Sequence, residues 1–370
     1  MAGKNKFSFA SLLILFCILA IYFVRMYVIA PHIFSFQFSP TRVEQYLKSQ
    51  DISRHVTGRV YLSDEDIHMA AGYLYVYGFD PTAFNFQHPP LIKYMYGYTT
   101  RIFGNPYLVQ LFFGGALLTL TYFAALLLTK KEWVAFLSCL FLIADPVFTD
   151  LSQHALLDLG QVVFAFSYIL AHLYMPGSFI IQGILLGLFA ASKFWSTALF
   201  FVFGIALYRF LKKTLHTRQF ILHLSIGFLT FCLMYAHSFI VKAPFNIVFF
   251  QLKTLKYWFH HSISSVPGDA FLLFTTGQHH MWWQHNDIIR VPEWPLIWPI
   301  MFVALGISLY VYRRKLSPLL FFSTVPLVFL AYISFQAPYM RYFILILPYS
   351  YIILFNTLSL VFKENRPKIK

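Results

Sequence analysis

The sequence predicts an all-α, polytopic transmembrane bundle of about ten spans, and three observations predict it. Of 370 residues, 59% are hydrophobic and only 11% charged, with 44 phenylalanines among them. A soluble domain carries about 25% charged residues, so lipid must solvate much of this apolar surface. The apolar residues fall in long runs separated by short charged segments. The basic residues behind the net charge of +14 sit between those runs. They do not gather on one soluble face, which argues against a nucleic-acid partner.

The runs place spans near 7–30, 107–129, 132–149, 159–175, 179–192, 194–210, 219–241, 295–312, 317–335 and 342–362. The first follows Lys4 and Lys6. It is longer than a signal-peptide core and lacks a small-residue cleavage site, so it reads as an uncleaved first span. The stretch 179–210 could be one long helix with Lys193 at its middle, where a lysine costs about 3 kcal/mol. Splitting it at Ser192-Lys193 moves that charge to an interface. With the split and a cytoplasmic N-terminus, Lys130-Lys131, Arg209 to Arg218, Arg313-Arg314-Lys315 and the basic tail all fall inside, as the positive-inside rule requires. Both termini are then cytoplasmic, and in a prokaryote the membrane would be the plasma membrane. Cys17, Cys139 and Cys232 lie within apolar runs at no metal or redox spacing, as packing residues do.

The acids are distributed differently. Of 14, only Glu132 and Glu364 fall inside; the rest lie outside or near outer span ends. Topology does not require this, and it points to polar chemistry on the outer face. Two outer segments are long, about 31–106 and about 242–294, and loops of such length usually carry function. In the second, Val248, Phe249, Leu252, Leu255, Trp258 and Phe259 recur at helical spacing. They predict an amphipathic helix lying on the membrane or packed on the bundle. No separate soluble domain is expected: residues 1–370 read as one membrane domain.

Candidate chemistry gathers in the outer segments. Ser63-Asp64-Glu65-Asp66-Ile67-His68 puts three acids where a helix begins, favoured there by the helix dipole. They fit a general base, metal ligands or a merely solvated loop. Gln87-His88-Pro89-Pro90-Leu91-Ile92-Lys93 is a rigid corner leading into a helix. Asp145, Asp150 and Asp158 lie near outer span ends, where acids facing the protein interior are commonly functional; Asp145 before Pro146 could also be a plain turn. Arg341, at the outer start of the last span, suits a phosphate gripped by two hydrogen bonds, or an interfacial anchor. His260-His261, His279-His280 and His285 match no zinc spacing. Trp282, Trp283, Trp294 and Trp298 nearby fit an interfacial aromatic belt.

In this order, Asp64-Glu65-Asp66 with His68, His88-Pro89-Pro90-Leu91 with Lys93, Leu156-Leu157-Asp158, Gly183 through Lys193, Gln251 through His261 and Arg341-Tyr342 with Pro348 resemble the GT-C glycosyltransferases. The likeness is to their protein O-mannosyltransferase and aminoarabinose-transferase branch. It implies a GT-C-like bundle that moves a sugar, a hexose with mannose among the candidates, from a polyprenyl-phosphate carrier. The acceptor would be a protein or glycolipid on the non-cytoplasmic side. By resemblance, Asp64 or Glu65 is the base, with Asp66 retained because its distance to His68 also fits. Lys93, Lys193 and Arg341 would face the donor phosphate, and His88 and Asp158 would complete the pocket. No resident metal is assigned, although some branches use a divalent ion and Asp64, Glu65, Asp66 and Asp158 could bind one. The chain is short for the family and shows no large C-terminal domain. The rival readings are a flippase or transporter of lipid-linked sugars, which should show broken helices near mid-membrane, and a non-catalytic membrane subunit.

Overall fold

The computed structural model describes residues 8–52, 58–242, 244–261, 266–281, 287–335 and 337–364, with side chains left undescribed at 244–247, 258–261 and 361–364. His285, Trp282, Trp283 and the side chains of His260 and His261 lie outside the described residues, as do those of Trp258 and Phe259. The chain is helical apart from one antiparallel hairpin, Gln278–His280 with Ile288–Arg290, among the described residues. Two helices, Phe9–Ile29 and Leu108–Thr129, are each long and apolar enough to cross a membrane alone. The pair Glu132–Ala144 and Pro146–Gln153, bent by 62°, makes a third if it counts as one span. The remaining apolar helices match the other runs in position but are shorter. Phe179–Ser192, at 14 residues, reaches only about 21 Å at 1.5 Å per residue, less than the roughly 30 Å hydrocarbon core.

The chain forms two compact units. The first comprises residues 1–29, 114–149 and 265–370. Its centre is Asp145, buried where the helix Glu132–Ala144 ends. The carboxylate accepts from Trp298 Nε1 at 2.9 Å, Tyr351 Oη at 2.8 Å and the Val147 amide at 2.9 Å. Asp145 therefore terminates one helix, starts the next and ties both to the helices Ile297–Tyr312 and Leu347–Glu364. A plain turn does not describe it. Trp298 also departs from the aromatic-belt expectation: it is wholly buried, stacked on Phe274 at 5.1 Å. Its ring covers apolar surface while its N–H is satisfied by the buried acid.

The second unit comprises residues 30–113 and 150–264. Its first outer segment folds as helices Thr41–Leu47, Asp64–Val76 and Leu91–Phe103, with a small core of Tyr46, Ile67, Ala70, Ala71, Leu74 and Tyr75. Asp64–Val76 lies directly on Leu91–Phe103 because both carry glycine at the crossing. A Cβ on Gly72 would overlap the Lys93 carbonyl oxygen, and one on Gly97 the Gly72 carbonyl oxygen. The stretch 179–210 is two helices, Phe179–Ser192 and Trp195–Leu211, broken at Lys193-Phe194 as the charge argument prefers. Helix Pro244–His261 combines both readings offered for it. Phe250 and Tyr257 pack on Phe86, while Val248, Phe249 and Leu252 are exposed as a membrane-facing stripe would be.

Candidate functional site

Ser63 begins the helix Asp64–Val76: its hydroxyl oxygen accepts from the Asp66 amide at 3.2 Å, a standard use of serine before a helix. Asp64, Glu65 and Asp66 then occupy the first turn. Successive helical residues point about 100° apart, so the three acids meet different neighbours. Asp66 pairs with Arg42 and accepts from Ser63 Oγ at 3.0 Å. Glu65 accepts from the Tyr107 hydroxyl. Asp64 is exposed, one turn before His68.

His68 is buried, with Nδ1 3.3 Å from the Ala155 carbonyl oxygen. A carbonyl only accepts, so Nδ1 carries the proton and Nε2 keeps its lone pair. Burial first, and the nearby Lys93 charge second, pull the imidazole down to about 3. It is therefore neutral at ordinary pH. The His68 and His88 rings meet edge to face at 5.9 Å, and His88 meets Phe194 in the same way at 4.9 Å.

Lys93 is wholly buried. Its ammonium donates to Asn85 O at 2.6 Å, Asn85 Oδ1 at 3.1 Å and His88 O at 2.8 Å. Burial pulls it down to about 7, against the raising field of Asp51. Three protons thus meet three protein oxygens, and Lys93 fastens the 85–90 corner to the helix that follows. Asp51 holds the other side of that corner through Gln87 at 2.7 Å. Further along, Lys242 pairs with Asp80 at 2.7 Å and Ser238 donates to Asp80 at 2.6 Å. Burial opposes the Asp80 charge, but the bonds from Lys242, Ser238 and Thr82 outweigh it and hold the carboxyl down at about 2.

Asp158 opens the helix Asp158–Tyr174, and Lys193 closes Phe179–Ser192. Lys193 Nζ lies 2.5 Å from Asp158 Oδ1, with both side chains almost fully buried. The loop before Asp158 is held by Gln110, whose amide donates to His154 O at 2.6 Å, Leu156 O at 2.7 Å and Tyr96 Oη at 2.9 Å. The Tyr96 hydroxyl in turn donates to Leu156 O at 2.7 Å. Asp150 is exposed and sits 3.1 Å from His154.

Of the residues given a role by the resemblance, Asp64, Glu65, Asp66, His88, Lys93, Asp158 and Lys193 therefore lie in one unit. Arg341 lies in the other, with its guanidinium 5.2 Å from the Tyr339 ring centroid and 5.9 Å from that of Tyr342. Among the described residues no group of three or more His, Cys, Asp or Glu gathers as a metal site would need. Glu65, Asp66 and Asp158 are each engaged by a protein donor. Sequence reasoning missed Arg42, Tyr107, Gln110 and Asn85. Gln110 left a signal, an amide inside an otherwise apolar span; the other three left none.

No protein-family model matches this sequence, and no curated protein matches it. Solved structures do match in fold. ArnT from Cupriavidus metallidurans bound to undecaprenyl phosphate superposes with a TM-score of 0.57 at 14% identity, covering 86% of this chain and 59% of that one. The same protein in its apo state gives 0.60 at 14% identity, covering 86% and 58%. The chain thus spans about three-fifths of ArnT's length. ArnT is an aminoarabinose transferase of the GT-C class, so the resemblance read from motif order is matched by fold.

Proposed function

We propose that this protein is a membrane glycosyltransferase that moves a sugar from a polyprenyl-phosphate carrier to an acceptor on the non-cytoplasmic face. The fold likeness to a protein solved with undecaprenyl phosphate supports the donor class. The observation that carries the reading is the Asp158–Lys193 pair in the same unit as the acidic helix start. A cation held in a dry site is what a departing phosphate needs.

In this reading the acceptor hydroxyl attacks the anomeric carbon and gives its proton to Asp64. The bond from carbon to phosphate oxygen breaks, and the polyprenyl phosphate leaves with the electron pair. Asp64 is preferred as base because it is exposed at the start of the helix, whereas Asp66 is paired with Arg42 and Glu65 accepts from Tyr107. Lys193 is assigned to the leaving phosphate, and His88, Lys93 and Asp158 to shaping the pocket; for Arg341, in the other unit, the phosphate role stays what the resemblance implies. About ten spans and cytoplasmic termini belong to the same proposal. A hexose donor, with mannose among the candidates, and a protein or glycolipid acceptor complete it.

The transporter alternative draws support from the helix breaks at Asp145 and Lys193. However, Asp145 is fully engaged by Trp298, Tyr351 and the Val147 amide, which is how a structural acid behaves. The test is sugar transfer in membranes supplied with polyprenyl-phosphate sugar. D64A should lower turnover by about 10²–10⁴-fold, the usual contribution of a general base. Normal transfer by a D64A/E65A/D66A variant would exclude these acids as the base. Movement of the lipid-linked sugar across the bilayer without any new glycosidic bond would establish transport instead.

A further inference from the structure

The second unit carries a buried cationic cluster that the proposed transfer reaction does not use. His172 ends the helix Asp158–Tyr174, Arg209 ends Trp195–Leu211, and His223 lies in Thr217–Leu233. The three are 5%, 6% and 0% exposed. The rings of His172 and His223 meet at 5.1 Å, and Tyr168 lies 4.6 Å from His172. The Tyr168 hydroxyl is 3.2 Å from His223 Nε2.

Charge and hydrogen bonding are both unbalanced here. Arg209 pairs with no carboxylate among the described residues. None is near in sequence either: no Asp or Glu occurs between Asp158 and Asp269. A buried cation without a counter-charge is costly, and the carbonyl end of its own helix compensates only in part. Arg209 Nη1 lies 3.4 Å from His172 Nδ1. Guanidinium only donates, so His172 Nδ1 accepts and its proton sits on Nε2. That Nε2 is buried with no acceptor. The cluster therefore holds an unmatched donor and a surplus positive charge.

The connection between the two helices shows what would supply the missing acceptors. Arg209 Nη2 donates to Thr214 O at 3.2 Å, which ties the guanidinium to the connecting loop. That loop exposes Lys212, Lys213, His216 and Arg218. Basic residues at the end of a helix pair, above a buried arginine, fit the phosphate of an anionic lipid headgroup.

We infer that Arg209 and His172 form a binding site for a phosphate oxyanion, entered past the 212–218 loop and separate from the acidic helix start. The guanidinium donates to the phosphate oxygens, His172 Nδ1 holds the guanidinium in place, and the loop lysines attract the anion. This assignment does not depend on the glycosyltransferase reading.

The full chain, delipidated in a neutral detergent, is unfolded thermally with phosphatidylglycerol, with phosphatidylcholine, and with inorganic phosphate against chloride at equal ionic strength. Phosphatidylglycerol should raise the midpoint by at least about 3 °C over phosphatidylcholine, the scale of a specific ligand in excess. Equal protection by inorganic phosphate would identify the free ion as the occupant. R209M and H172F should lose most of the response. If R209M does not fold, R209K carries the test, since it keeps the charge but loses the planar fork. No rise for the wild type in either arm overturns the site, and so does a full response in every variant that folds.

Discussion

Lys193 Nζ and Asp158 Oδ1 stand 2.5 Å apart in a site that water scarcely reaches. The two residues come from opposite ends of different helices, so the pair fixes where the Phe179–Ser192 helix stops relative to where Asp158–Tyr174 starts. Burying two charges is expensive, and the pair persists only because each answers the other. Removing one partner strands a buried charge.

D158L or K193M alone should therefore lower stability by about 3–5 kcal/mol, while the double variant D158L/K193M should recover most of that loss. Thermal unfolding in detergent checks this. Single variants that unfold at the wild-type temperature would mean that water reaches the site. The double variant should remain inactive in transfer, which separates folding from chemistry.

Lys93 leads to a different expectation. Its three hydrogen bonds end on Asn85 and His88, so K93M should leave buried carbonyl groups unpaired, at about 1–3 kcal/mol each. The 85–90 corner should become open to protease, and the unfolding temperature should fall. A lysine whose main task is gripping donor phosphate would instead raise KM for the donor and leave proteolysis unchanged. Measuring both quantities on one variant decides between them.

Much of the fold was legible in the sequence because the apolar runs are long and the charges between them few. The break at Lys193 could be read because a mid-membrane lysine is costly. Asp158 could be read as an acid facing the protein interior because it stands at the entry of an apolar run. What each of Asp64, Glu65 and Asp66 faces could not. Consecutive residues in one helical turn differ only in what they face, and the facing residues, Tyr107 and Arg42, lie far away in sequence. Asp145 stayed open between an interior-facing acid and a turn for the same reason: its partners Trp298 and Tyr351 are remote, and Asp-Pro alone also reads as a turn.

His68 gives a pH dependence. Its ordinary value of 6.5 falls to about 3 in the folded protein, chiefly through burial. The folded value is below the unfolded one, so the unfolded chain binds the proton first. The stability His68 contributes is fully present above about pH 6.5 and is lost as pH falls toward 3. Unfolding temperature should decline through that window in the wild type and decline less in H68Q. Parallel curves for the two proteins would rule His68 out as the cause.

The crossing of Asp64–Val76 on Leu91–Phe103 sets the distance between the acidic helix start and the His88 corner. Both helices use glycine there, and each added Cβ would overlap a backbone carbonyl that cannot swing aside as a side chain could. G97A should force the helices apart and cost about 1–3 kcal/mol, the range for overpacking a tight contact. Since the overlapped carbonyl is that of Gly72, in the helix that begins with the three acids, the change should shift that helix against the 85–90 corner and slow sugar transfer more than the lost stability explains. A G78A control at an exposed glycine whose Cβ would meet nothing within 4 Å separates steric from conformational effects. Its φ of +88° makes alanine strained there, so its cost should be local and leave transfer by the folded protein intact. Equal loss of transfer in the two variants would show that the helix crossing does not govern the site.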